Sequence, residues 1–197
     1  MMFLLGLTGS IGMGKSTTAQ FFVDEGCALW DADAAVHRLY SKGGAAVEPI
    51  RQQFPDAVVN DEVDRNALKK IIAQDRGTLT KIEKIVHPLV ARDRQDFRDS
   101  ATTDILVFDV PLLFETGGNS AMDAVACVSV SAVLQRKRVL DRGTMTPEQF
   151  DLILSKQMPD KEKRARADYV IVTDTLEHAR AQVQDIVTEI RGQIDNA

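Results

Sequence analysis

The chain has 197 residues, a formal net charge of −5 and 44% hydrophobic residues, a size at which roughly 70% of the unfolded surface is buried without a disulfide or metal staple. Its acidic pI of about 5.2 argues against a nucleic-acid-binding face, which needs an excess of Lys and Arg to neutralise phosphates, and favours small-molecule partners. Cys27 and Cys127 each lie beside an alanine and lack the spacing of metal or redox sites, which reads as two small buried thiols.

Met2 to Leu7 is a short apolar run ending at Thr8 and Gly9, the pattern of a strand buried on both faces. The N-terminal stretch has no basic leader, and no run of 18 apolar residues occurs anywhere; no membrane segment and a cytoplasmic location are expected. Ser16 to Val23 reads as a helix, and Cys27 to Trp30 as a second strand with Asp31 and Asp33 at its end. Strand, helix and strand within about 30 residues form a βαβ unit. Residues 34–100 read as helices alone, with Leu79, Ile82, Val86, Leu89 and Val90 at helical spacing. His87-Pro88 predicts a kink or a fresh start there, because proline removes a backbone donor. Ile105 to Phe108, Ala124 to Val130 and Tyr169 to Val172 are further strands, and 132–142 and 175–191 further helices. The alternation predicts a parallel sheet covered by helices, with an all-helical insertion after the second strand.

The segment GSIGMGKST, from Gly9 to Thr17, fits the pattern G-x-x-x-x-G-K-[ST] between a strand and a helix. Such a loop cradles phosphates with backbone N–H groups at a helix N-terminus. Gly9, Gly12 and Gly14 permit close approach and unusual backbone angles. Lys15 is expected to bridge the β- and γ-phosphates of a bound nucleotide, and the Ser16 hydroxyl to ligate Mg2+. Ser10, Ile11, Met13 and Thr17 complete the predicted ATP-binding loop.

Asp31 and Asp33 fall at a strand's carboxyl end, where parallel α/β sheets bind ligands. Residues two apart on an extended segment project to one side, so both carboxylates are candidates to meet one acceptor hydroxyl, as base and orienting group. The competing role for Asp33 is to cap a helix Ala34 to Tyr40. Asp109 ends a buried strand and is the second magnesium candidate. Pro111, Leu112, Leu113 and Phe114 continue the apolar run, either to line an apolar part of the substrate or to pack the core. Residues 135–166 carry nine Lys or Arg against five acids. Within them Arg138 and Arg142 share a helix face, and Gly143 and Pro147 flank a turn suited to a hinge, which predicts a lid over triphosphate.

GLTGSIGMGKS at 6–16, DAD at 31–33, HPLV at 87–90, DVPLLFE at 109–115, QRKRVLDR at 135–142, and Gln157 with ADYVI at 167–171 together resemble the dephospho-CoA kinases, in order and spacing, over almost the whole chain. The resemblance implies a P-loop nucleotide-kinase-like α/β fold: a five-stranded parallel sheet with helices on both faces, a helical substrate-binding insertion and a helical lid. It implies one domain, with the core at about 1–33, 101–135 and 167–197, the insertion at about 34–100 and the lid at about 136–166. It also implies transfer of the ATP γ-phosphoryl group to the ribose 3′-hydroxyl of dephospho-CoA, by a monomer or small homo-oligomer. Carried over by residue, Asp33 is the general base, Lys15 and Arg138 stabilise the transferring group, and Arg142 supports the phosphates. Thr8, Asp31, His87 and Pro111 to Phe114 match positions near the acceptor. Ser10 and Met13 stand where the family usually shows glycine and serine. At 172–175 the chain has Val-Thr-Asp-Thr where the family shows asparagine then glycine near the adenine, so Thr173 takes the asparagine's place. A P-loop GTPase switch needs DxxG and NKxD, and neither is present; the remaining alternative is a kinase of another nucleotide or small metabolite.

Overall fold

The first strand in the chain is the middle of the sheet. In the computed structural model, which describes residues 2–75 and 77–196, β1 (Phe3–Thr8) pairs in parallel with β5 (Ile105–Asp109) on one side and β6 (Ala124–Ser129) on the other. β7 (Tyr169–Val172) extends β6, and β2 (Ala28–Asp31) completes a five-stranded parallel sheet in the order β2-β5-β1-β6-β7. Successive side chains on a strand point to opposite faces. Leu5, Leu7, Val107, Val128 and Ile171 accordingly meet Phe22, Val183 and Ile190 of α1 (Lys15–Asp24) and α9 (Leu176–Asp195). The opposite face receives Leu113 and Phe114 against Val125. A Cβ on Gly6 would come within 2.6 Å of the Leu113 side chain, so this close approach depends on glycine.

Chain order in the sheet places the site. The crossover after β1 runs to the β2 edge and the one after β6 to the β7 edge, so a topological switch point lies between β1 and β6, where α/β sheets open a crevice. Three helices separate β6 from β7: α6 (Ala132–Asp141), α7 (Pro147–Ser155) and α8 (Asp160–Arg166). They span the segment expected to form a lid. α8 is fastened at its start, where Asp160 accepts from the Ser129 hydroxyl of β6 at 2.8 Å.

Residues Trp30–Ser100 form a unit separate from the rest of the chain. It holds α2 (Ala32–Tyr40), α3 (Val47–Gln53), α4 (Arg65–Gln74) and α5 (Gly77–Ser100). Its own core includes Leu39, Ile50, Leu68, Ile82 and Val86. Leu79 does not join them and is 45% exposed. Helices alone were expected here, yet β3 (Val58–Val59) and β4 (Glu62–Val63) pair as a hairpin. Its turn residues Asn60 and Asp61 both have positive φ, 52° and 64°, the type I′ geometry that Asn and Asp tolerate. α5 also runs through Pro88 with no fresh start. Pro88 and Lys84, one turn earlier, are exposed, so water can take the carbonyl that the proline cannot serve.

Within this unit Asp93 of α5 accepts from Trp30 Nε1 at 2.8 Å and from Arg38 Nη2 at 2.6 Å, tying α2 and the residue before Asp31 to α5. Burial disfavours the Asp93 carboxylate, but the Arg38 and Trp30 hydrogen bonds outweigh it and hold the carboxyl below its usual range. In the other unit, Cys27 and Cys127 are buried, as the sequence predicted, and burial pushes their thiols up to about 11 and about 12. No helix among the described residues is long and apolar enough to cross a membrane.

Asp93→Ala removes the acceptor of a buried indole N–H and is expected to cost about 1–3 kcal/mol at neutral pH. A carboxyl with a lowered folded pKa contributes stability above its unfolded value of about 3.9, lost as pH falls through the folded value. The gap between denaturant melts of wild type and Asp93→Ala should therefore be full at neutral pH and narrow as pH falls below about 4 and through the folded value.

Candidate active site

The phosphate loop leaves β1 at the crevice and enters α1 at Lys15. Gly14 takes φ 89° and Gly12 φ 78°, in the left-handed region that favours glycine. Space is as restrictive as angle: a Cβ on Gly9 would lie 2.2 Å from Val128 Cγ2, and one on Gly12 2.4 Å from Val139 Cγ2. The loop's carbonyls are held from several elements. Gln135 Nε2 donates to the Ile11 carbonyl at 2.7 Å, Thr173 Oγ1 to that of Met13 at 2.6 Å, and Thr18 Oγ1 to that of Gly14 at 3.1 Å. The N-terminus of α1 has no side-chain cap and no acid in its first turn, so its amides and dipole stay available to an anion.

Beside this N-terminus is a cavity of about 370 Å³, lined by Gly14, Thr17, Phe21, Arg138, Arg142, Thr173 and Leu176 among others. Arg138 and Arg142 share a wall, as their spacing predicted. Arg138 is fixed, its two guanidinium nitrogens donating to Thr173 Oγ1 at 3.1 Å and to the Thr173 carbonyl at 2.5 Å. Arg136 points elsewhere: it pairs with Asp151 at 2.6 Å and lies 5.5 Å over the Phe150 ring, binding α6 to α7. Lys15 forms an ion pair with Asp109, which is 1% exposed.

The remaining expected residues divide by burial. Ser16 and Thr17 are exposed at the start of α1, whereas Ser10 is buried and the Met13 side chain packs into the main core. Thr8 is fully buried and donates its hydroxyl to the Pro111 carbonyl at 3.1 Å. Leu113 and Phe114 are core residues, Leu112 is 41% exposed, and Pro111 lies between these extremes. In the other unit, His87 and Asp33 are exposed. The helix starts earlier than expected, at Ala32, and Asp31 caps it, accepting from Ala34 N at 2.7 Å. Asp33 therefore sits in the first helical turn. It is not the cap, and the two aspartates do not share an extended segment.

The dephospho-CoA kinase family profile matches residues 3–178 of this chain. A dephospho-CoA kinase from Ruegeria pomeroyi is 73% identical over 191 residues, covering 97% of each chain. One from Cereibacter sphaeroides is 55% identical over 193 residues, covering 98% of each. This chain belongs to the dephospho-CoA kinase family. Its fold agrees with a crystal structure of a Thermus thermophilus protein, at TM-score 0.85 and 29% identity, covering 95% of this chain and 97% of the other. As a member of an ATP-using kinase family, the chain is a phosphotransferase.

Three side chains in this region went unread in the sequence or were read differently. Thr173 was read only as standing in the place of an adenine-side asparagine; it lines the cavity, and its hydroxyl also engages Met13 and Arg138. Gln135 was one polar letter among charged ones, and only its burial marks it out. Gln157 belonged to the resembling motif without a role; its Oε1 accepts from Ile11 N at 3.1 Å.

Thr173→Val keeps the shape but removes the donor to a buried carbonyl and one partner of Arg138. It is expected to cost about 1–3 kcal/mol of stability. ATP affinity, measured by calorimetry on the same protein, should fall with it.

Proposed function

We propose that this chain transfers the γ-phosphoryl group of ATP to the ribose 3′-hydroxyl of dephospho-CoA, giving ADP and coenzyme A, the final step of coenzyme A synthesis. The observation that carries this reading is family membership over nearly the whole chain, joined to a phosphate loop that opens beside two cavity-lining arginines.

Transfer of a phosphoryl group is mostly a matter of positioning and charge stabilisation. Loop amides and the α1 dipole hold the phosphates. Lys15, its ammonium oriented by Asp109, meets the charge that builds on the γ-phosphoryl oxygens. Arg138, kept in one orientation by Thr173, meets that charge from α6, and Arg142 supports the phosphates. Fixed donors of this kind are worth more in the transition state than mobile ones, because they need no reorganisation.

Asp33 is the proposed base. Capping falls to Asp31, which leaves the Asp33 carboxylate free of that duty in an exposed first turn. It takes the hydroxyl proton as the 3′-oxygen bonds to the γ-phosphorus and the bond to the ADP oxygen breaks. Asp31, His87, Pro111 and Leu112 are proposed acceptor contacts. Thr8, Leu113 and Phe114 are buried, and the Thr8 hydroxyl holds the Pro111 carbonyl.

The Ser16 hydroxyl and the Asp109 carboxylate are hard oxygen donors of the kind Mg2+ takes alongside phosphates and water, so the residues present fit that ion. When bound it neutralises charge on the β- and γ-phosphates.

A panel of acceptors tests the reading. Dephospho-CoA is expected to be phosphorylated at its ribose 3′-hydroxyl, with adenosine and AMP much poorer because they lack the remote groups whose binding energy places the hydroxyl. Mass spectrometry before and after a 3′-specific nuclease locates the phosphate; preference for AMP, or phosphate elsewhere, overturns the proposal. Asp33→Asn should lower kcat by roughly 10²-fold or more while the thermal midpoint barely moves. Retained turnover in that variant removes Asp33 from the chemistry.

A further inference from the structure

A lysine with no exposed surface lies outside the phosphate loop. Lys163 of α8 is fully buried. Its ammonium donates to the Pro111 carbonyl at 3.0 Å and pairs with Glu115 Oε1 at 2.9 Å. The same Pro111 carbonyl accepts from the Thr8 hydroxyl at 3.1 Å, and Glu115 Oε1 accepts from Met158 N at 2.8 Å. Burial opposes the Glu115 charge, but the Met158 N–H and Lys163 outweigh it and hold the carboxyl below its usual range.

Withdrawing an ammonium from water is costly, and well-packed apolar side chains of similar volume often serve stability as well or better. Packing alone is therefore a poor account of a lysine here. Its contacts offer a better one. Pro111 lies two residues after Asp109, and Thr8 directly precedes the first loop glycine, Gly9. One carbonyl thus receives donors from the end of β1 and from α8, and so fixes the exit of β5 against both. Asp109, at that exit, is the partner of Lys15.

We infer that Lys163 is a positioning residue for phosphoryl transfer: by holding Pro111 and Glu115 it sets Asp109, and through Asp109 the ammonium of Lys15. The inference rests on the reading of Asp109 and Lys15 as parts of the phosphoryl-transfer machinery. Lys163, which has no exposed surface, acts only through these partners. A buried pair with fixed geometry holds a loop to the tolerance that a reacting group needs, a tolerance that apolar contact does not impose.

The test measures kcat, KM for ATP and thermal midpoint on the full chain for Lys163→Met and for Lys163→Met/Glu115→Gln. The second variant removes both charges and leaves neither orphaned. Each is made in the wild-type and the Asp109→Asn backgrounds. Both variants are expected to lower kcat about tenfold or more, with KM for ATP changed less than about threefold. In the Asp109→Asn background the same changes should cost less than about twofold further, because the group they position is already gone. Should Lys163→Met not fold, the paired variant carries the comparison. The inference is overturned by near wild-type kcat in the paired variant, by costs that multiply in the Asp109→Asn background, or by loss of the fold in the paired variant. Wild-type turnover in Asp109→Asn alone instead overturns the reading of Asp109, and the inference with it.

Discussion

A binding site made from backbone amides works only if the carbonyls of the same loop are turned away and held there. In this chain Gln135, Thr173 and Thr18 do that work, from α6, the residue after β7 and α1. Glycines supply the rest, because Gly9 and Gly12 lie where side chains of β6 and α6 leave no room for a Cβ. A phosphate loop is often described through its own residues, yet here its shape is imposed by neighbours distant in sequence. Thr173 joins the phosphate loop to the arginine-bearing wall of the cavity, since one hydroxyl both fixes a loop carbonyl and receives the arginine of α6. A preformed anion site and an oriented cation thus share one support.

The frame of that site was legible in the sequence. β1, the loop and α1 carry a spaced pattern that only a strand, a turn and a helix satisfy together. The short apolar runs at 105–108, 124–130 and 169–172 mark buried strands because both faces of a parallel sheet are covered. Arg138 and Arg142 were paired by helical spacing alone, and both line the cavity. What stayed hidden depends on contacts distant in sequence. Nothing local separates Lys163 from the other cations of 135–166, yet it has no exposed surface. Thr173 was read only as a ligand contact, and its further part as a brace between Met13 and Arg138 is not visible locally. The hairpin at 58–63 is too short to show periodicity, and its only sign is Asn60-Asp61 between valine-bearing ends.

The aspartate pair shows how one boundary changes a reading. Treated as extended chain, Asp31 and Asp33 point the same way and share a task. The backbone turns helical at Ala32 instead, which gives Asp31 the free amides of the first turn and separates the two carboxylates in role. A shift of two residues in the start of a helix lies within the usual uncertainty of such boundaries. Here it decides which acid caps the helix and which does not.

Two cores that share no residue let the parts of this chain bear mutations separately. Stability changes at well-separated sites add, whereas those among packed neighbours do not. A repacked Leu68 or Ile82 therefore draws on the stability of the helical unit and leaves the supports of the phosphate loop unaltered. Evolution can vary the surface of Trp30–Ser100 without retuning the phosphate loop, and a protein engineer has the same freedom within that unit.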